Sequence, residues 1–182
     1  MKRNFWTEAL KGGTVVGLVS VAFSLLMKVG GDSTVLINIL SIASTVVTIL
    51  LLFGYTRRFA AQHSASEGFS LSRAVGFVVA MMIFVGILSG IYSAIMANFF
   101  IKEELLRTVD EVMAQMQDVL PAESFDSSYK LMRASVTNPL FLTLSSVVSN
   151  CFLGVLVGIC VGALVRRRPD IFADTNNGQP TE

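Results

Sequence analysis

Apolar residues in this chain gather into four long, nearly unbroken runs, not into the short periodic patches of a soluble core. The runs cover about residues 12–29, 34–55, 74–101 and 139–165, and a helix needs about 20 apolar residues to cross a bilayer. Each is a predicted transmembrane helix. None carries a charge at mid-span. Lys28 closes the first, where its long stem lifts the ammonium toward the headgroups. Gly30-Gly31-Asp32-Ser33 then reads as a tight connection, glycine ending one helix and Asp or Ser capping the next, so the first two spans form an antiparallel hairpin. A signal peptide cleaved near Val29 to Gly31 is the alternative, and Lys28 sits awkwardly beside such a site.

The stretch between the third and fourth spans, about 102–137, is not loop-like. Leu105, Val109, Val112, Met116 and Val119, flanked by Leu106, Met113 and Leu120, draw one apolar helical face. Glu103, Glu104, Asp110, Glu111 and Asp118 take the rest and form a candidate partner-binding surface. No glycine or proline lies between Gly90 and Pro121, so the third helix is free to run on outward, with 102–120 projecting about 28 Å. Pro121 breaks it. Phe125, Tyr129, Met132 and Val136 continue on a second piece of about 25 Å. The expectation is an external amphipathic helical hairpin, with Val109, Val112 and Met116 packed on Phe125, Tyr129 and Met132. It returns to the bilayer at Asn138-Pro139, which cap and open the fourth span. Helices lying flat on the membrane are the rival, but those usually carry Lys and Arg where this face is acidic.

Composition agrees with a membrane protein: 53% of the 182 residues are hydrophobic and 15% charged, against about a quarter charged in soluble domains. A net charge of +1 gives no case for nucleic acid. Placement says more than total. Lys2, Arg3, Lys11, Arg57, Arg58, Arg73, Arg166, Arg167 and Arg168 all fall on one side of the predicted spans. Lys28, Lys102, Arg107, Lys130 and Arg133 fall on the other, most of them among carboxylates. Basic short loops stay in the cytoplasm, so both termini are expected there. The triple arginine reads as a topology anchor, with attraction for anionic lipid as its second use. The tail at 173–182 has nothing to bury and is expected to be disordered.

Small and polar residues at four-residue steps mark where helix backbones approach. Ser146, Asn150, Gly154, Gly158 and Gly162 form such a stripe on the fourth span, and Gly86, Gly90, Ala94 and Asn98 one on the third; Gly13 and Gly17 make a weaker pair on the first. Packing within one chain is the first expectation and a homo-oligomer the second. Ser41, Ser44, Thr45, Thr48, Ser89 and Ser93 suggest a polar path, though such hydroxyls more often bond their own or a neighbouring helix. Cys151 and Cys160 lie on opposite faces of one helix and cannot bond each other. His63, the single histidine, and Glu67 are too few to fill a zinc shell. No catalytic, cofactor-binding or metal-ligating set is expected.

Glu67-Gly68-Phe69-Ser70, Tyr92, Asn138-Pro139 and the glycines leading to Arg166-Arg167-Arg168 carry a likeness beyond layout. From Phe5 to about Phe172 the chain resembles a bacterial family of small four-span membrane proteins defined as a domain of unknown function. The resemblance implies one all-α inner-membrane domain and brings no activity with it. The functional expectation is a non-enzymatic accessory or scaffold component that meets a membrane or envelope partner. A small oligomeric channel or transporter, its pore lined by the 146–162 stripe, is the alternative.

Overall fold

The computed structural model describes residues 5–30, 33–62, 68–116 and 121–166, and every element in them is a helix. The readings at Lys2, Arg3, Gly31, Asp32, His63, Glu67, Asp118, Val119, Leu120, Arg167, Arg168 and the 173–182 tail lie outside the described residues. The helices are α1 (Phe5–Val29), α2 (Thr34–Ala60), α3 (Leu71–Ile95), α4 (Lys102–Met116), α5 (Ala122–Thr137) and α6 (Pro139–Val165). A π turn, Met96–Phe100, follows α3. Four of these elements, α1, α2, α3 with its π turn, and α6, are long and apolar enough to cross a membrane. The chain is an all-α membrane protein.

Burial makes α3 the axis of the bundle. Half of its apolar window is buried, against 6% for α2. α6 and α1 flank α3, while α2 leans mainly on α1 and only lightly on α6 and α3. Exposed Ile42 and Leu50 on α2, and Phe152 and Leu164 on α6, form surface suited to lipid. Because successive spans are antiparallel, Lys11, Arg57, Arg58, Arg73 and Arg166 gather at one end of the bundle, here called the arginine end. The α4–α5 pair occupies the far end.

At the arginine end the helices outrun the apolar runs: α1 begins at Phe5, α2 continues to Ala60 and α3 starts at Leu71. These extra turns build an aromatic plug. Phe59 and Phe77 stack with centroids 4.2 Å apart, and Phe5 meets both edge-on at 5.8 and 5.6 Å. Phe69 packs edge-on against Phe59 at 6.1 Å and is 1% exposed. Its placement follows from its neighbours. Gly68 takes φ 61°, a left-handed conformation that suits glycine, and turns the chain inward. Ser70 caps α3, its hydroxyl accepting from the Arg73 N–H at 3.4 Å. Phe69 and Ala74, both buried, hold the N′ and N4 positions of a hydrophobic staple. The early start of α1 also brings in Glu8, whose side chain is 13% exposed and lies 3.8 Å from Lys11.

The far end departs from a continuous projecting helix. At Ile101 the backbone leaves helical geometry (φ −127°, ψ 18°), and α4 starts afresh at Lys102. The ladder widens first: the Asn98 side-chain amide donates to the Ala94 carbonyl at 2.9 Å, and the Ile101 N–H reaches back five residues to Met96. Side-chain competition for a helix carbonyl is a known way to open a π turn. Asn98 therefore marks a joint. Between α4 and α5 the contact line is also rotated from expectation. Val109 and Met113 are buried, whereas Met116 and Met132 are 46% and 39% exposed. Asn138 caps α6, accepting from the Leu140 and Phe141 N–H groups at 3.0 and 3.2 Å.

Phe69→Ala should lower the stability of the detergent-solubilised protein by about 3–5 kcal/mol. Phe152→Ala, on the exposed face of α6, should cost far less. Thermal melts of the two variants measure the difference, and equal melting temperatures would mean that the plug does not close the bundle.

Candidate functional site

Candidate residues fall in two places, the α3–α6 seam and the acidic face of α4. In the seam, glycine changes sides. Toward the far end α3 supplies it: a Cβ on Gly86 would stand 2.7 Å from Val147 Cα, and one on Gly90 2.7 Å from Thr143 Cα. Toward the arginine end α6 supplies it. A Cβ on Gly154 would meet Met82 Cβ at 3.0 Å, one on Gly158 Val75 Cα at 3.2 Å, and one on Gly162 Leu71 Cδ1 at 2.8 Å. The contacts step by about four residues in opposite directions along the two helices, as antiparallel backbones in touch require.

Polar groups cluster near the handover. The Ser89 and Ser146 hydroxyls share a hydrogen bond of 2.8 Å between the helices, and the Asn150 amide donates to the Ser146 carbonyl at 2.8 Å. Ala94 is buried at the far end of the same stripe. The remaining hydroxyls do not join this cluster. Thr45 donates to the Ser41 carbonyl of its own helix at 3.0 Å, and Ser41, Thr45 and Ser93 are exposed. A continuous polar path is not assembled among the described residues.

The glycines of α1 approach α3 as closely as any. A Cβ on Gly13 would stand 2.5 Å from the Met81 carbonyl oxygen, and one on Gly17 2.7 Å from Leu88 Cδ1. Gly12 joins them, its added Cβ falling 2.6 Å from Met81 Sδ. The spacing of Gly13 and Gly17 understated this seam, and Gly12 sat at the edge of the apolar run. What would have found it is the adjacent pair Gly12-Gly13, which bares two neighbouring positions of one helix face.

On α4, two of the acidic positions already have partners. The Tyr129 hydroxyl donates to Asp110 Oδ1 at 2.7 Å and accepts from Arg133 Nη1 at 2.7 Å, tying α5 to α4. Glu111 pairs with Arg107 at 3.1 Å. Glu103 and Glu104, exposed in the first turn, have no ion pair among the described residues. Asp118 lies outside them. Among the described residues no group of three or more His, Cys, Asp or Glu side chains is placed to hold a metal ion. The seam itself offers hydroxyls and an amide, hydrogen-bonding groups that fix register and orientation.

A family described as protein of unknown function (DUF4199) matches residues 11–167, which takes in both seams, the π turn and the α4–α5 pair. The chain belongs to that family. No curated protein and no solved structure matches it. In this DUF4199 member, three residues of the stretch that carried the resemblance have physical tasks: Gly68 turns the chain, Phe69 fills the plug and Ser70 caps α3.

Gly86→Ala should destabilise the protein by about 1–3 kcal/mol, because the added methyl meets backbone that cannot step aside. Gly76, which has open space around it, should tolerate the same change or gain up to about 1 kcal/mol of helix propensity. Melting temperatures in one detergent decide it. A harmless Gly86→Ala would mean that the two backbones are not in contact.

Proposed function

We propose that this protein is a multi-pass component of a bacterial inner membrane and works through contacts, as a non-enzymatic accessory or scaffold subunit. The observation behind this reading is where polar side chains are spent. Those at membrane depth, Ser89, Ser146 and Asn150, bond one another or helix carbonyls. Of the acidic side chains, Glu103 and Glu104 stand together and exposed on α4, with no ion pair among the described residues. The channel alternative needs the 146–162 stripe to face a pore, and in this chain the stripe faces α3.

Orientation belongs to the same proposal. Lys11, Arg57, Arg58, Arg73 and Arg166 share one end, and basic ends stay inside. The arginine end is then cytoplasmic, both termini with it, and the α4–α5 pair stands outside, where water-borne or envelope partners reach Glu103 and Glu104.

Reporter fusions following Arg166 and between Arg58 and Arg73 should read cytoplasmic, and a fusion near Pro121 external. An external C-terminus would reverse the side on which a partner is sought. A photo-cross-linking residue at Thr108, one turn from Glu104, should give a discrete adduct in membranes. That adduct should disappear in Glu103→Lys/Glu104→Lys, while reconstituted protein adds no ion flux to liposomes. Flux without an adduct would replace the scaffold reading with the channel one.

A further inference from the structure

Because α2 leans on α1 and only lightly on α6, the two helices leave a gap between them on the arginine half of the bundle. The gap is a groove of about 430 Å³, lined by Leu50 and Phe53 of α2 and by Leu156, Cys160 and Leu164 of α6. That volume falls in the range of small-ligand pockets, about 300–1,000 Å³. Its walls are apolar, so its occupant is hydrocarbon.

What sits at the mouth gives the occupant a headgroup. Arg57 lies one turn beyond Phe53 and two beyond Leu50, hence over the groove face of α2. Arg57 is exposed and has no ion pair among the described residues. α2 and α6 both present their C-terminal ends here, the negative ends of their dipoles, which repel an anion. Any positive charge at this mouth therefore comes from side chains, and Arg57 supplies it.

We infer that the α2–α6 groove is a binding site for an anionic phospholipid, with one acyl chain along Phe53 and Cys160 and the phosphate held by Arg57. The lipid comes from the leaflet at the arginine end. Guanidinium suits it, because its planar donors engage two phosphate oxygens together.

The test uses the full chain in phosphatidylcholine vesicles with Trp6→Phe and Phe53→Trp, so that one tryptophan reports from the groove. Brominated phosphatidylglycerol should quench it more efficiently, mole for mole, than brominated phosphatidylcholine. Arg57→Gln should cut the preference about five-fold, as one interfacial charge is expected to do. Arg133→Gln, at the far end, should leave it unchanged. Cys160→Phe, which fills the groove, should abolish quenching above that of ordinary surrounding lipid. Equal quenching by both lipids would overturn the proposal, and so would a preference that survives Arg57→Gln. A preference kept in Cys160→Phe would reduce it to surface attraction. Efficient Cys160–Cys160 cross-linking between copies would give the groove to a second chain and likewise overturn it.

Discussion

Two helix backbones touch only where one of them lacks a side chain, and α3 meets that condition on both flanks at once. In lipid no hydrophobic drive brings helices together, so dispersion at close range and interhelical hydrogen bonds carry the association. Gly12, Gly13 and Gly17 bring α1 onto one flank of α3; Gly86 and Gly90, answered by Gly154, Gly158 and Gly162, bring α6 onto the other. The exchange of glycine from α3 to α6 along the seam has a geometric use. Each helix presents side chains where its neighbour presents none, so the contact stays close over most of the span without a ridge of one helix striking a ridge of the other.

The weakly held helix is α2, and its attachment is uneven. Its buried residues, Leu52, Thr56, Phe59 and Ala60, lie in its last third, where the aromatic plug joins it to α1 and α3. The rest of α2 is half-buried or exposed. A helix fixed at one end and leaning away from α6 leaves a gap beside the fixation point, and the apolar groove lies there. The plug, which closes the bundle at the arginine end, also sets the width of the groove beside it.

The spans themselves were legible because a bilayer demands about 20 apolar residues in a row and little else produces such runs. Their ends were not. Phe5, Phe59 and Phe69 lie among charged or polar neighbours, outside every apolar run, and only the turn at Gly68 and the extra turns of α1 and α2 bring them together. The glycine stripes of α3 and α6 stood out in the sequence, but spacing alone does not name a stripe's partner: Gly86 against Val147 depends on where two helices meet, not on either helix's own pattern. The break after α3 was hidden for a different reason. With no glycine or proline near Ile101, local propensity permits a continuous helix, and the opening centres on one side-chain amide, Asn98, whose competition for the Ala94 carbonyl spacing does not reveal.

How the α4–α5 pair is mounted ties these parts together. α4 is joined to α3 through the π turn, and α5 to α6 through the Asn138 cap, so the pair is carried by the two helices that share the longest close seam. It is pinned across itself by Tyr129 between Asp110 and Arg133. A one-residue slide of α6 along α3 would carry Val147 off Gly86 and part Ser89 from Ser146, so the seam admits one register only. A shift of α5 relative to α4 would have to move that seam or bend one of the two joints. The π turn at Met96–Phe100 is the softer joint, since its ladder is already widened. Any movement of the acidic surface would therefore centre on Asn98 and Ile101, with the seam beneath it as the fixed base.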